Sequence, residues 1–138
     1  MKFLLDTNVV SELRRPTQAD QRVVAWFRAV DPWVTCISAA SLAELEQGAE
    51  QARRKGQAHA PLLRRWIDEI VLPAFEGRIL PIDATIALRY GRLHLADPIA
   101  FADVLIAATA QVHALTVVTR NIRDFALLDT AFINPWAA

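Results

Sequence analysis

At 138 residues the chain has the length of one domain, long enough to bury a sizeable core and too short for two comfortable ones. Apolar residues make up 54% and charged residues 22%, and Lys plus Arg matches Asp plus Glu at 15 each, which excludes extensive disorder and a basic nucleic-acid-binding tail. Cys36 is the only cysteine and no apolar run approaches the roughly 18 residues of a membrane span, so neither a disulfide framework nor a membrane anchor is expected, and a reducing, cytoplasmic setting is.

In chain order, Lys2 to Asp6 predicts a short, fully buried strand, and Asn8 to Arg14 a helix stopped near Pro16. Val23, Trp26, Phe27 and Val30 recur at helical spacing, and Asp31-Pro32 ends that second helix in a turn. A strand from Trp33 to Ile37 follows, with Cys36 inside it as a small hydrophobe. From Ser41 a helix carries Leu42, Leu45 and Ala49 on one face and closes at Lys55-Gly56. Pro61 opens the next, whose apolar stripe runs from Leu62 to Val71; Arg64/Asp68 and Arg65/Glu69 are spaced as solvated i,i+4 pairs.

Ile79 to Ile82 predicts a third strand, and Pro81 assigns it to a sheet edge or a strand end. Asp83 caps a helix through Leu95, Asp97-Pro98 marks a boundary, and Phe101 to His113 is helical, with Val104, Leu105, Ala108 and Val112 facing the core. Leu115 to Val118 is a near-continuous apolar strand, the pattern of a buried parallel strand. Strands alternating with helices imply an α/β fold, a central parallel sheet flanked by helices, in a single domain over 1–138.

Four acids stand in unexpected company. Asp6 ends the apolar run of LLDTN, Glu44 lies in AASLAELEQG, Asp103 in AFADVLIAATA and Asp124 in VVTRNIRDFALL. A structural reading exists for each. Asp6 or Thr7 suits an N-cap, Ser41-Leu42-Ala43-Glu44 has the capping-box pattern, Asp103 suits the start of its helix, and Asp124 suits a turn. The chemical reading starts from Asp103, because a lone charge in a run of small apolar residues costs several kcal/mol unless a partner or a metal answers it. The strand Leu115 to Val118 delivers Thr119, Arg120 and Asn121 at its C-terminal end, repeating the logic of LLDTN. If the two strands are parallel neighbours, both polar ends face one crevice. Clustered carboxylates with no His or Cys nearby favour Mg²⁺, or Mn²⁺, over zinc.

The pieces LLDTNVVSEL, SLAELEQG, ILPID, FADVLIAATA and VVTRNIRDF, spread in this order over almost the whole chain, resemble a PIN-domain protein, and more narrowly a VapC-type ribonuclease toxin. That resemblance implies a compact α/β fold, an acidic Mg²⁺ site that hydrolyses RNA phosphodiesters, dimerisation, and inhibition by an antitoxin whose C-terminal segment wraps the toxin. On it, Asp6 and Asp103 match the principal metal-binding acids, and Glu44 and Asp124 the other two. Thr119 and Asn121 match polar residues that orient acids or the attacking water. Phe101 is bulkier than that pattern expects, which bears on substrate access.

Three other readings stand beside it. An aspartyl-phosphate phosphatase with Asp6 as nucleophile would want an acid where Asn8 stands. A metal-free ribonuclease would draw on His59, His94 and His113, none of them in a suggestive motif. A PIN-like binding or regulatory module that lost its activity has no need of intact acids. The basic residues Arg14-Arg15, Arg53-Arg54-Lys55 and Arg64-Arg65 suit either RNA steering or solvated helix faces.

Overall fold

The computed structural model describes residues 1–93, 95 and 98–137. Strand β1 is Phe3–Leu5, followed at once by helix α1, Thr7–Glu12, and then α2, Gln21–Ala29. A 3-10 turn over Pro32–Val34 leads into β2, Thr35–Ser38, so Trp33 lies before the strand rather than in it. Helix α3, Ala39–Arg54, starts with no intervening loop because Ser38 ends the strand and caps the helix, its Oγ accepting from the Ala40 amide at 3.0 Å. The cap therefore lies three residues before Ser41, and the Ser41 to Glu44 pattern does not act as a capping box. Ser41 sits buried inside the first turn with an unpartnered Oγ.

Helix α4, Ala60–Trp66, runs through a π-helical turn at Ile67–Val71 into the short α5, Leu72–Ala74. Arg64 pairs with Asp68 as expected and also reaches Glu46 on α3, tying the two helices together. Strand β3, Ile79–Leu80, is shorter than expected and does lie at the sheet edge. Asp83 caps α6, Ala84–Arg92, by accepting from the Ile86 amide at 3.0 Å, and this helix ends three residues before Leu95. The boundary residue Asp97 and His94 lie outside the described residues.

Helix α7, Phe101–His113, has the expected ends. Its core side is wider than the expected stripe: Val104, Ile106, Ala107, Ala108 and Ala110 are buried, while Leu105 and Val112 are only half-buried. Strand β4, Thr116–Val118, is followed by α8, Ile122–Leu127, and β5, Phe132–Ile133, two elements that the apolar patterning does not announce. Among the described residues no helix is long and apolar enough to cross a membrane.

The five strands are parallel, in the order β3-β2-β1-β4-β5, with Phe3 beside Thr35 and Thr116 and Leu5 beside Val118. Alternation along each strand divides the core between the two faces. Leu5, Ile37 and Val118 pack with Val9, Val23, Val71 and Trp136 on one side; Leu4, Cys36 and Val117 pack with Val104, Ile106 and Phe125 on the other. Cys36 is the buried hydrophobe its strand implies, with burial pushing its thiol up to about 11. The chain builds outward from β1 to β3, then returns to the other side of β1 for β4. The strand order thus reverses between β1 and β4, and a crevice opens at their C-terminal ends.

Candidate metal centre

Both strands at the switch point end on polar residues. Asp6 follows β1 directly, its amide still donating to Val118 O at 2.9 Å, and is 3% exposed. It is at once the N-cap of α1, with Oδ1 accepting from the Thr7 amide at 2.8 Å, and part of a cross-strand network. Its Oδ2 accepts from the Thr119 hydroxyl at 2.7 Å and from Asn8 Nδ2 at 3.2 Å. Burial raises the Asp6 carboxyl above its ordinary value and the Glu44 charge adds to this, while the bonds from Thr119, Thr7 and Asn8 pull the other way.

Glu44 enters from the second turn of α3 and Asp103 from the first turn of α7. Since Ser38 is the α3 cap and Ala100, at the N-cap of α7, makes no side-chain capping bond, neither acid serves as a cap. Glu44 Oε1 accepts from the Thr7 hydroxyl at 2.5 Å. Asp103 Oδ2 accepts from Asn121 Nδ2 at 3.0 Å. Asp6, Glu44 and Asp103 each offer one carboxylate oxygen, and these atoms lie within 4.8 Å of one another. Burial, followed by the charges of Asp6, Glu44 and Asp124, pushes the Asp103 carboxyl up to about 6.

Asp124, in the first turn of α8, stands beside this group rather than in it. It is joined through Asn121, whose Nδ2 also donates to Asp124 Oδ2 at 2.8 Å, and Arg123 lies 3.7 Å from its other oxygen. The Asn121 amide donates in turn to Thr119 Oγ1 at 2.9 Å. Sequence reasoning placed these six residues together; it gave Thr7 no part beyond capping and Asn8 no part in the site. In the fold Thr7 holds Glu44, and Asn8 ties Asp6 to the β4 end, reaching Thr119 Oγ1 at 3.4 Å and accepting from the Arg120 amide at 3.4 Å. Their position immediately behind Asp6 is the signal that could have revealed them.

A groove of about 800 Å³ leads to Glu44 between α3 and the start of α7, lined by Ala40, Ala43, Ala102 and Leu105 among others. Phe101 lines it without closing it, because its ring rests edge-on against Tyr90 at 5.2 Å. His59 and His113 are exposed at helix ends, away from the carboxylates' hydrogen-bond network. The fit to a cation follows from the donors: three acidic oxygens in reach of one point, no nitrogen or sulfur ligand among them, and an Asp103 carboxyl raised by burial and then by the neighbouring charges. That is the donor set of a hard divalent ion.

The PIN domain family model matches residues 3–131. Toxin FitB of Neisseria gonorrhoeae is 40% identical over 97% of this chain and 98% of its own length, and VapC ribonuclease Y4jK of Sinorhizobium fredii is 35% identical over 97% of each. The crystal structure of FitAcB from Neisseria gonorrhoeae superposes with a TM-score of 0.87 at 39% identity, covering 99% of both chains. With the parallel sheet, the switch-point acids and these matches in agreement along nearly its full length, the chain belongs to the PIN-domain family.

Proposed function

We propose that this chain, acting as one PIN domain over 1–138, is a divalent-cation-dependent endoribonuclease and the toxin of a toxin–antitoxin pair. The observation that carries the proposal is the convergence of Asp6, Glu44 and Asp103, from three separate elements, onto a space within 4.8 Å. Such an assembly of like charges is unfavourable on its own terms and is explained by a cation. Mg²⁺ suits the oxygen-only donors, with Mn²⁺ as the alternative. Bound there, the ion would supply charge neutralisation at the scissile phosphate and activation of the attacking water.

The protein's own part is arrangement. Asp6 and Asp103 would hold the cation, with Glu44 as third ligand. Asp124 stands one hydrogen-bonded step away through Asn121, placed to orient water or to share a second ion. Thr119 and Asn8 donate to Asp6, Thr7 to Glu44 and Asn121 to Asp103, so the acids keep their places without substrate. The relatives named as a toxin and as a ribonuclease support this reading over a binding module, as do the intact acids. A cognate antitoxin and a homodimeric toxin belong to the same proposal.

The test is incubation of the purified, partner-free protein with a pool of RNAs, with Mg²⁺ and with a chelator, followed by mapping of the cut ends. In-line attack by water with departure of the 3′ oxygen leaves a 5′-phosphate and a 3′-hydroxyl, only where the cation is present. Cyclic-phosphate ends formed equally well in chelator would overturn the reading.

A further inference from the structure

We propose that Arg14 and Arg15 form a phosphate subsite that holds the RNA backbone about three or four nucleotides from the scissile phosphate. The inference rests on the nuclease reading above. Where α1 ends, Ser11, Glu12, Arg14, Arg15, Gln18 and Ala19 line a small polar pocket of about 150 Å³. Most other arginines in the described chain are spent: Arg22 on Asp20, Arg53 and Arg54 on Glu50, Arg64 on Glu46 and Asp68, Arg78 on main-chain carbonyls, Arg89 on Gln111 and Arg123 on Asp124. Among the described residues neither Arg14 nor Arg15 has a carboxylate in ion-pair distance, although Glu12 also lines the pocket. Burial lowers the Arg14 guanidinium from its ordinary value, and the charge of Arg15 adds to this. Two adjacent cations without an answering acid favour an anion, and a guanidinium fork matches phosphate oxygens.

The pocket is connected to the carboxylates by a short path. Asp6 caps one end of α1 and the arginines follow the other, so the helix and its C-cap Leu13, at ~1.5 Å per residue, set Arg14 about 12 Å from Asp6 along the axis. At the ~3.4 Å axial rise of a stacked strand this is about three to four nucleotides. Arg120 stands beside the start of α1, its amide donating to Asn8 Oδ1 at 3.4 Å. It follows Thr119, the Asp6 partner, its guanidinium sits 5.5 Å over the Trp136 ring, and its charge reaches Asp20, which adjoins the pocket residue Ala19. Asp20 itself is occupied by Arg22 through two bonds, at 3.1 and 2.8 Å. A strand with its reacting phosphate at the acids is thus offered positive charge at Arg120 and then a forked pair at Arg14 and Arg15. The subsite reads backbone and carries no base preference.

The experiment uses the full chain with Mg²⁺ and a single-stranded RNA of about 15 nucleotides containing one mapped cut site, measuring kcat and KM against ionic strength. The double variant Arg14→Gln/Arg15→Gln should raise KM about tenfold or more, the scale of lost charge-assisted hydrogen bonds, with kcat within about twofold. The salt slope of log kcat/KM should become shallower by about 0.7 for each phosphate contact removed. Arg14→Lys/Arg15→Lys keeps the charge and loses the fork, so KM should rise less and the salt slope should stay; it carries the test if the first variant does not fold. Unchanged KM and slope, or the same loss from Arg28→Gln on the outer face of α2, would overturn the subsite. So would loss of binding to the protein of the adjacent reading frame with RNA kinetics intact, which would assign the pocket to a protein partner. Absence of cleavage by the parent protein would instead refute the nuclease reading itself.

Discussion

Glu44 is where helix capping and chemistry make opposite forecasts for one substitution. A capping residue tolerates Gln, because an amide oxygen still accepts a hydrogen bond; a cation ligand does not, because the amide is neutral. With Ser38 as the cap of α3 and the Thr7 hydroxyl on Glu44, Glu44→Gln should melt within a few degrees of the parent. RNA cleavage should fall at least roughly tenfold, or about 1.4 kcal/mol of transition-state stabilisation. Thr7→Val should reproduce part of that loss and Thr7→Ser should not, since only the hydroxyl reaches Glu44. Asp103 gives a second forecast at this scale, through its raised carboxyl. Without a cation the folded protein keeps a proton up to about pH 6 that the unfolded chain releases near 3.8, so stability falls as pH rises through that window and stays lower above it. Asp103→Asn removes this contribution and leaves that of Asp6, whose carboxyl is also raised. In chelator, the melting temperature of this variant should match the parent near pH 4 and exceed it above pH 6; a parallel pair of curves would show that Asp103 is not under electrostatic strain.

At the scale of elements, α7 and the strands β1 and β4 were legible in the sequence because strong signals mark their ends, whereas their pairing stood only as a condition that the fold meets. Phe101 opens a long apolar helix, and Leu5 and Val118 close short apolar runs on polar residues. β5 was not legible: Phe132 and Ile133 become a strand only by pairing with Val117 and Val118, and two residues carry no periodicity. The π-turn at Ile67–Val71 was equally hidden, since the apolar stripe runs through it without a Gly or Pro to mark the insertion. The start of α3 was misplaced because Ser38 and Ser41 are both plausible caps and only packing chooses between them. That choice has a measurable consequence. Ser38→Ala removes the bond to the Ala40 amide and should cost about 1 kcal/mol in urea unfolding. Ser41→Ala removes a buried hydroxyl that has no partner and should leave stability unchanged or slightly raised. The reverse ranking would return the cap to Ser41, and with it the capping-box reading of Glu44.

Over the whole molecule the charge sums to zero, so the site's character comes from distribution rather than balance. The reversal of strand order between β1 and β4 gathers acids from the ends of β1, α3 and α7 into one crevice, while Arg22, Arg53 and Arg64 are matched to surface acids. The exposed pairs contribute little to stability; the crevice is where a ligand has most to offset. A divalent cation that binds only the folded protein stabilises it by mass action, by about 2.7 kcal/mol at a hundredfold excess over Kd. For a chain of this size that is on the order of ten degrees in melting temperature. Mg²⁺ or Mn²⁺ should therefore raise the melting temperature of the partner-free protein in a saturable way, against a control held at equal ionic strength with NaCl, and Asp103→Asn should abolish the rise. The cation's effect should also shrink toward pH 4, where protons compete for Asp103 and its neighbours. A rise that NaCl reproduces, or one that survives Asp103→Asn unchanged, would mean general screening of an acidic crevice, and the three carboxylates would then need another explanation for standing so close together.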